Sequence, residues 1–504
     1  MPARIRDLSV LLLSTYDLGH QPLGLASPAA WLREIGARVT CRDLAIDELD
    51  ESEVTAADLV AFHLPMHAAS RLAVPVAQRV RSLNARAHLC FYGLYAPVNE
   101  GFLRKLGAQT ILGGEYEDGL ADLYRRLRAA PDGHAGAQSE PVISLARQAF
   151  RTPDRSGLPD LDRYAYLSVG GDRRTVGYTE ASRGCKHTCR HCPIVPVYGG
   201  KFRLIARDIV MSDVRQQVEA GAVHITFGDP DFFNAPGHAL RLVTALHEEW
   251  PWLSYDVTIK IEHLVREARH LPTLRETGCM FVTSAVEAVD DTILQRLEKR
   301  HTRADLESVV CSFRAAGLIL SPTFVAFTPW TTTDGYVELL DTIYHLGFVE
   351  AVAPVQYAIR LLIPAGSRLL ELDEIRDLVG EFDPAALVFP WCHPDPAVDE
   401  LQREVMAVVA AAAPGDDRAG IFARIRGLAC ARASRAVPGI ELGAADGGRD
   451  VPRLSEPWYC CAEPTEGQLS SCLGSAAAGS AAPHPSVSPA PLAAEYLIES
   501  RQIR

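Results

Sequence analysis

The chain has 504 residues, of which 48% are apolar, and a formal net charge of −13. This length predicts two or three domains, and the acidic balance argues against non-specific nucleic-acid binding, which depends on Lys and Arg neutralising phosphates. Twelve cysteines in a long chain with no evident secretory signal indicate metal or redox chemistry rather than a disulfide framework. No run approaches the roughly 18 apolar residues of a membrane-spanning helix, so we expect a soluble, cytoplasmic protein with small-molecule partners.

The first third of the chain, residues 1–128, alternates buried-strand patterns with helix patterns. LSVLLLS precedes a helical PAAWLREIGA, and QTILGGE precedes EDGLADLYRRLR. This alternation predicts a doubly wound parallel α/β domain. Ligands of such sheets bind at the carboxyl ends of the strands, which here are residues 17–24, 65–67, 93–95 and 113–115.

Residues 129–173 have the composition of a linker. Ala, Pro, Gly, Asp and Ser dominate, as in APDGHAGAQSEP, and such segments connect domains. We therefore expect a boundary here.

A cysteine array follows the linker. Cys185, Cys189 and Cys192 form a C-x3-C-x2-C pattern directly after the β-like run RTVGYTEAS. Three close thiolates can hold three irons of a [4Fe–4S] cluster and leave the fourth iron without a protein ligand. A zinc half-site is the alternative, but the chain offers no second C-x2-C pair downstream to complete it.

Residues 174–370 repeat a strand-then-helix pattern six times. The β-like runs are TVGYTEAS, AVHITFGDP, LSYDVTIKI, CMFVTSAVE, LSPTFVAFT and VAPVQYAIRLL. Six such repeats predict a partial (β/α)6 barrel with reactive groups at the carboxyl ends of its strands. The candidate residues at those ends are Gly228, Asp229 and Asp231 for the second run and Ser284 and Glu287 for the fourth. At the end of the third run, Lys260 and Glu262 are predicted to share one strand face by the two-residue period.

This segment resembles the radical S-adenosylmethionine (SAM) superfamily, whose three-cysteine motif matches Cys185, Cys189 and Cys192. The resemblance implies a [4Fe–4S] cluster, SAM bound at its open iron, and a reducing donor such as a flavodoxin or ferredoxin. Gly228 with Asp229 or Asp231 stands where the family has a turn that contacts the SAM amino group, although a plain Asp-Pro turn would look the same. The resemblance also places Glu262, Ser284 and Glu287 among the cofactor-binding residues.

The first domain resembles the cobalamin-binding domain that precedes many radical SAM barrels. A domain that supplies an axial imidazole carries D-x-H-x-x-G, whereas this chain spaces Asp17, His20 and Gly24 differently. Cobalamin therefore stays open as a third cofactor, and a docking or substrate-gating role for the domain is the stronger expectation.

Residues 371–472 are helical by pattern in ELDEIRDLVGEF, PAVDELQREVMAVVAAAA and AGIFARIRGLACARA. The region then carries WYCCAEP, and residues 473–504 follow with a low-complexity composition that is typical of flexible tails.

Cys460 and Cys461 are adjacent, so a disulfide between them would be strained. As free thiols they suit a thiophilic metal or metalloid, unless they are chance neighbours. The phrase CCAEP resembles the end signature of a radical SAM group named for its CCAEP or CUAEP tail, which is similar to enzymes of arsinothricin biosynthesis, an antibiotic pathway. That likeness implies that arsenite, held by Cys460 and Cys461, accepts a 3-amino-3-carboxypropyl group from SAM. Whether Cys472 joins the pair as a third sulfur stays open.

Two other functions stay open. One is a cobalamin-dependent radical SAM methyltransferase. The other is a non-enzymatic iron–sulfur electron carrier or metalloid sensor, which predicts a second cluster motif or a DNA-binding element, and the sequence shows neither.

Overall fold

The computed structural model describes residues 7–130, 136–412, 417–436 and 451–456. Two sheets organise these residues, and each has helices packed against it. The α/β class predicted from the alternation of strand and helix patterns is confirmed. Among the described residues, no helix is both long and apolar enough to cross a membrane.

The first sheet has six parallel strands in the order β2-β1-β3-β4-β5-β6. Its central strands are buried on both faces, which explains their nearly continuous apolar sequence. The strands are β1 Ser9–Ser14, β2 Arg38–Asp43, β3 Leu59–His63, β4 His88–Tyr92, β5 Thr110–Gly114 and β6 Ile143–Ser144. The helices are α1 Leu23–Glu34, α2 Glu51–Ala56, α3 His67–Leu83, α4 Tyr95–Val98, α5 Glu100–Lys105 and α6 Tyr116–Ala129.

The second sheet has the order β14-β13-β12-β11-β8-β7-β15. The run from β8 to β14 is parallel, whereas β7 and β15 add antiparallel strands at one edge. A separate antiparallel pair joins β9 to β10 beside the cysteine loop. The strands are β7 Tyr166–Val169, β8 Asp172–Thr179, β9 Ser182–Gly184, β10 Phe202–Leu204, β11 His224–Phe227, β12 Ser254–Thr258, β13 Cys279–Glu287, β14 Ile319–Phe324 and β15 Arg453–Leu454.

Helices cover the outside of the second sheet. Their apolar faces and the strands share one continuous core that includes Val214, Leu242, Val309 and Leu340. The helices are α7 Val195–Tyr198, α8 Arg207–Glu219, α9 Pro236–Glu249, α10 Ile261–Arg266, α11 Leu271–Glu276, α12 Asp291–Arg296, α13 Arg303–Ala316, α14 Thr333–His345, α15 Asp373–Arg376, α16 Pro396–Ala410 and α17 Arg418–Arg432.

Three expectations are corrected. The sixth β-like run begins as a 3-10 helix, Pro354–Tyr357, and its one strand-like pairing is an isolated parallel bridge from Arg360 to Phe327, which lies beyond the end of β14. Proline at 354 cannot donate to a strand ladder, which accounts for the difference. The pattern ELDEIRDLVGEF gives one helical turn, α15, rather than a full helix. The predicted linker is partly structured, because β6 extends the first sheet and β7 the second.

Candidate functional site

The carboxyl ends of the two sheets face each other across a cavity of about 310 Å³. The first domain contributes the predicted strand ends, among them Asp17, Met66 and Gly93, and the barrel contributes the ends of β11, β12 and β13. Side chains from both domains therefore line one shared space.

Cys185, Cys189 and Cys192 line this cavity. Their loop leaves the short strand β9 at Gly184, whose φ of +75° and close contacts with Tyr198 leave no room for a side chain. Cys189 is buried, and the other two cysteines are partly buried. Burial, and after it the nearby Asp231, raises the pKa of Cys185 to about 12, so this thiol keeps its proton until a metal replaces it.

Asp231 is the centre of a buried network beneath the cysteine loop. Its Oδ2 lies 3.2 Å from His187 Nε2 and 2.6 Å from His263 Nδ1. Burial alone would raise the pKa of Asp231, but the hydrogen bonds from the two histidines bring it below its ordinary value. The other side of His187 meets Lys260, whose Nζ lies 3.3 Å from Nδ1. Asp231 therefore orients a histidine inside the cysteine loop.

Asp229 is tied to the segment that precedes the cysteine loop. One of its oxygens accepts from the Ala181 backbone N–H at 2.8 Å, and the other accepts from the Ser182 hydroxyl at 2.5 Å. Burial raises the pKa of Asp229 to about 7. Both candidate aspartates line the cavity, yet each also has partners within the protein.

Glu287 ends β13 in a left-handed backbone conformation, with φ of +71°. Its Oε1 lies 3.1 Å from His191 Nε2 and 3.2 Å from Lys299 Nζ. Burial would raise the pKa of Glu287, but the Lys299 charge and the His191 hydrogen bond lower it to about 2. The Lys299 ammonium also interacts electrostatically with Cys189 and Cys192. Glu287 thus fixes a cation beside two cysteines.

Two of the predicted residues are placed differently from expectation. Glu262 lies in the first turn of α10 rather than on a strand, although its Oε2 is still 3.2 Å from Lys260 Nζ. Ser284 points away from the cavity, since the lining positions of β13 are Thr283, Ala285 and Glu287 and side chains alternate along a strand. The expectation that Ser284 reaches the cofactor site is corrected. Gly228 lines the cavity beside the Tyr178 hydroxyl.

Sequence reasoning missed the residues that support the loop. His187, His191 and Lys299 are in this group, together with Arg183, whose guanidinium lies 2.6 Å from Glu117 of the first domain. Placement of two histidines between the cysteines was a readable signal. No signal in the sequence indicated the pairing of Arg183 with Glu117, because 66 residues separate the two.

Residues 179–337 match the model of the Radical SAM superfamily. This segment is a radical SAM domain. Among curated relatives, the chain is 23% identical over 272 residues to the ribosomal protein uS12 methylthiotransferase RimO of Porphyromonas gingivalis, covering 47% of this chain and 61% of that protein. It is 25% identical over 342 residues to the hopanoid C-3 methylase of Methylococcus capsulatus, covering 64% of each. The chain thus spans somewhat less than two thirds of these relatives.

Solved structures show the same fold over both domains. The cobalamin-dependent SAM radical enzyme OxsB, with aqua-cobalamin bound, superposes with a TM-score of 0.59 at 12% identity, covering 85% of this chain and 72% of that one. The methyltransferase TsrM of Kitasatospora setae, with tryptophan and a SAM analogue, gives 0.59 at 16% identity, covering 80% and 88%. The radical SAM part of the predicted architecture is therefore confirmed.

A radical SAM domain implies a [4Fe–4S] cluster and SAM, and the residues present fit both. Three thiols of one loop open onto the cavity, which is the donor set that leaves one iron free. The cavity volume falls within the range of about 300–1,000 Å³ that is usual for small-ligand sites. Lys260 and the Asp231 carboxylate, whose pKa is lowered, supply both charges for an amino acid group.

Cobalamin fits less readily. His20 lines the cavity, but its ring stacks on Tyr178 with 4.7 Å between centroids, and burial lowers its pKa to about 4.

Cys460 and Cys461 lie outside the described residues, as does Cys472. The described chain ends at Glu456, whose side chain lines the cavity together with Cys185.

Proposed function

We propose that this protein is a radical SAM transferase that moves a carbon group from SAM to a small substrate enclosed between its two domains. The observation that carries this proposal is the presence of the three cysteines in one enclosed cavity with the charged groups of Lys260 and Glu287. When bound, the cluster with SAM supplies the electron that breaks a carbon–sulfur bond. The protein's own residues hold the loop, orient His187 and His191, and exclude water.

In its specific form, the proposal is that the group is 3-amino-3-carboxypropyl and the acceptor is arsenite held by Cys460 and Cys461. The CCAEP phrase supports this. In the sequence, Cys460 and Cys461 follow Glu456, a residue that lines the cavity, by four and five positions.

The proposed transfer balances as a two-electron reaction. The SAM sulfonium, arsenous acid and two electrons give methylthioadenosine, the aminocarboxypropyl arsonous acid and hydroxide. The Cγ–S bond and one As–O bond break, and one C–As bond forms. The electrons come from a flavodoxin- or ferredoxin-type donor.

A cobalamin-dependent methyl transfer is the second candidate. It is favoured by the fold likeness to OxsB and TsrM, which covers both domains, and by the similarity to a hopanoid methylase. Protein purified after expression with added cobalamin would carry a corrinoid spectrum if this candidate holds, and would lack one if the first does.

The test is anaerobic turnover of reduced protein with SAM and arsenite. Methylthioadenosine in equal amount to a carbon–arsenic product supports the proposal, whereas 5′-deoxyadenosine as the sole nucleoside contradicts it. Cys460→Ser and Cys461→Ser are expected to abolish transfer but leave cluster assembly intact. Cys392→Ser, at an exposed cysteine elsewhere, is the matched control and should keep full activity.

A further inference from the structure

Residues 451–456, which we call the C-terminal strap, bind to the edge of the barrel sheet. Arg453 and Leu454 pair with β7, and the Ser455 backbone N–H donates to the Tyr166 carbonyl at 2.8 Å. In return, the Ser455 hydroxyl accepts from the Tyr166 backbone N–H at 3.0 Å. An ion pair from Arg453 to Glu350 adds a further attachment. The barrel thus fixes the first part of the strap.

The far end of the strap contacts the first domain. The Tyr16 hydroxyl, in the turn after β1, donates to the Glu456 carboxylate. Both residues are buried. A hydrogen bond to a carboxylate is stronger than one between neutral groups, and it also satisfies a charge that would otherwise be costly to bury.

Backbone geometry allows this approach. Gly19, at φ of +70°, belongs to the same turn as Tyr16, and a Cβ there would lie 3.0 Å from Glu456 Cβ and 3.1 Å from Ala165 Cβ. A side chain at position 19 would therefore push the strap away. The turn, β7 and the strap form one close contact between the two domains.

The same strap is part of the cavity wall. Leu454 and Glu456 line the space that also exposes Cys185, Cys189 and Cys192. The bond between Tyr16 and Glu456 therefore attaches this part of the wall to the first domain.

We propose that Tyr16 and Glu456 are positioning residues, whose bond holds the strap against the cavity so that SAM cleavage is coupled to transfer. This inference rests on the proposed function. With the strap released, SAM is still cleaved, but the acceptor no longer meets the carbon fragment. The fragment instead takes a second electron from the flavodoxin- or ferredoxin-type donor and a proton from water, and it leaves as 2-aminobutyrate beside methylthioadenosine.

The test is the ratio of transferred product to SAM cleaved. Tyr16→Phe and Glu456→Ala each remove the bond, and we expect the ratio to fall roughly five- to thirtyfold, as for the loss of one well-formed buried hydrogen bond. Glu456→Gln keeps an acceptor and should retain most of the coupling. The iron content and SAM affinity of all three variants should match those of the unmodified protein.

Tyr255→Phe is the matched control, since the Tyr255 hydroxyl bonds to Thr277 at 2.7 Å inside the barrel core and does not line the cavity. It should leave the ratio unchanged. Unaltered coupling in Tyr16→Phe and Glu456→Ala would overturn the proposal, and so would a loss of cluster that parallels the loss of coupling.

Hydrogen exchange at the Ser455 amide separates this inference from the proposed function. Faster exchange in Tyr16→Phe than in Tyr255→Phe supports the strap contact even if the unmodified protein transfers nothing to arsenite. Equal exchange in the two variants would overturn it. Absence of an arsenic product from the unmodified protein would contradict the proposed function alone.

Discussion

The cavity has two edges, one formed by the first domain and one by the barrel. The titratable side chains of these two edges are held in opposite charge states. On the first domain, His20 and His63 are kept neutral by burial, with pKa values lowered to about 4 and about 3, and they lie against tyrosine rings. On the barrel, Asp231 and Glu287 are kept ionised by histidine and lysine partners. One edge is an uncharged wall, and the other is a charged framework around the cysteines.

This difference assigns distinct tasks to the two domains. A fixed set of charges can orient an amino acid group and the cysteine loop at little cost of reorganisation. A neutral aromatic wall can exclude water and shape the space without competing for those charges. We infer that the barrel edge performs the chemistry and that the first domain covers it.

The largest expected effect comes from the charged edge. Cys185→Ala should abolish cluster assembly and reduce SAM cleavage to background, because three thiolates are needed to hold the cluster. Iron content and the visible absorbance of the reconstituted protein measure this. Cys311→Ala, at an exposed cysteine on α13, is the control and should bind iron normally. Full iron content in Cys185→Ala would show that the cysteine loop does not hold the cluster.

The second-largest effect is expected from the ion pair that joins the two domains. Arg183 pairs with Glu117 at 2.6 Å, where both side chains are buried, and with the partly exposed Glu180 at 2.9 Å. Arg183→Gln leaves the buried Glu117 carboxylate without its cationic partner, although Ser27 and Gln148 still donate to it. We therefore expect a loss of about 3–5 kcal/mol in the free energy of unfolding. Denaturant unfolding measures the loss. A change below about 1 kcal/mol would mean that this buried pair does not hold the domains together.

The neutral edge predicts a pH effect. Burial lowers the pKa of His63 from 6.5 to about 3, so below pH 6.5 the unfolded chain binds a proton that the folded protein does not. Stability is therefore lost as the pH falls from 6.5 towards 3, by up to about 1.4 kcal/mol per pH unit.

His63→Gln should remove this one-proton contribution, which melting curves of both proteins at several pH values would show. Parallel curves across the window would mean that His63 is not held neutral.

The smallest effect is expected far from both edges. Arg79 and Glu51 form an ion pair on the surface of the first domain, with both side chains about half exposed. Arg79→Ala should change the free energy of unfolding by no more than about 1 kcal/mol. A change as large as that of Arg183→Gln would indicate that burial does not distinguish the two pairs.

The sequence was informative where chemistry is local. The cysteine loop, the strand ends of the first domain and five of the six barrel strands follow from short patterns, and α16 and α17 follow from helical periodicity. Lys260 and Glu262 were predicted to share a strand face, but they meet because α10 begins at Ile261. The two side chains are close together, as predicted, but a helix start rather than a strand face brings them together.

Contacts between segments that are distant in the chain could not be predicted from the sequence. Nothing near Lys299 in the sequence indicates that it lies beside Cys189 and Cys192, and nothing near Tyr16 indicates Glu456, which is 440 residues away. Ser284 was predicted at the site because the sequence indicates where the strand ends. The sheet face to which its side chain points depends on the register of β13, which the sequence does not indicate. These features follow from tertiary packing.

The most direct test of the account is the fate of label in SAM during anaerobic turnover with arsenite. SAM labelled with ¹³C in the aminocarboxypropyl carbons should place that label in a carbon–arsenic product, while label in the methyl group remains in methylthioadenosine. Methyl label in the arsenic product, with none from the aminocarboxypropyl carbons, would contradict the proposed transfer.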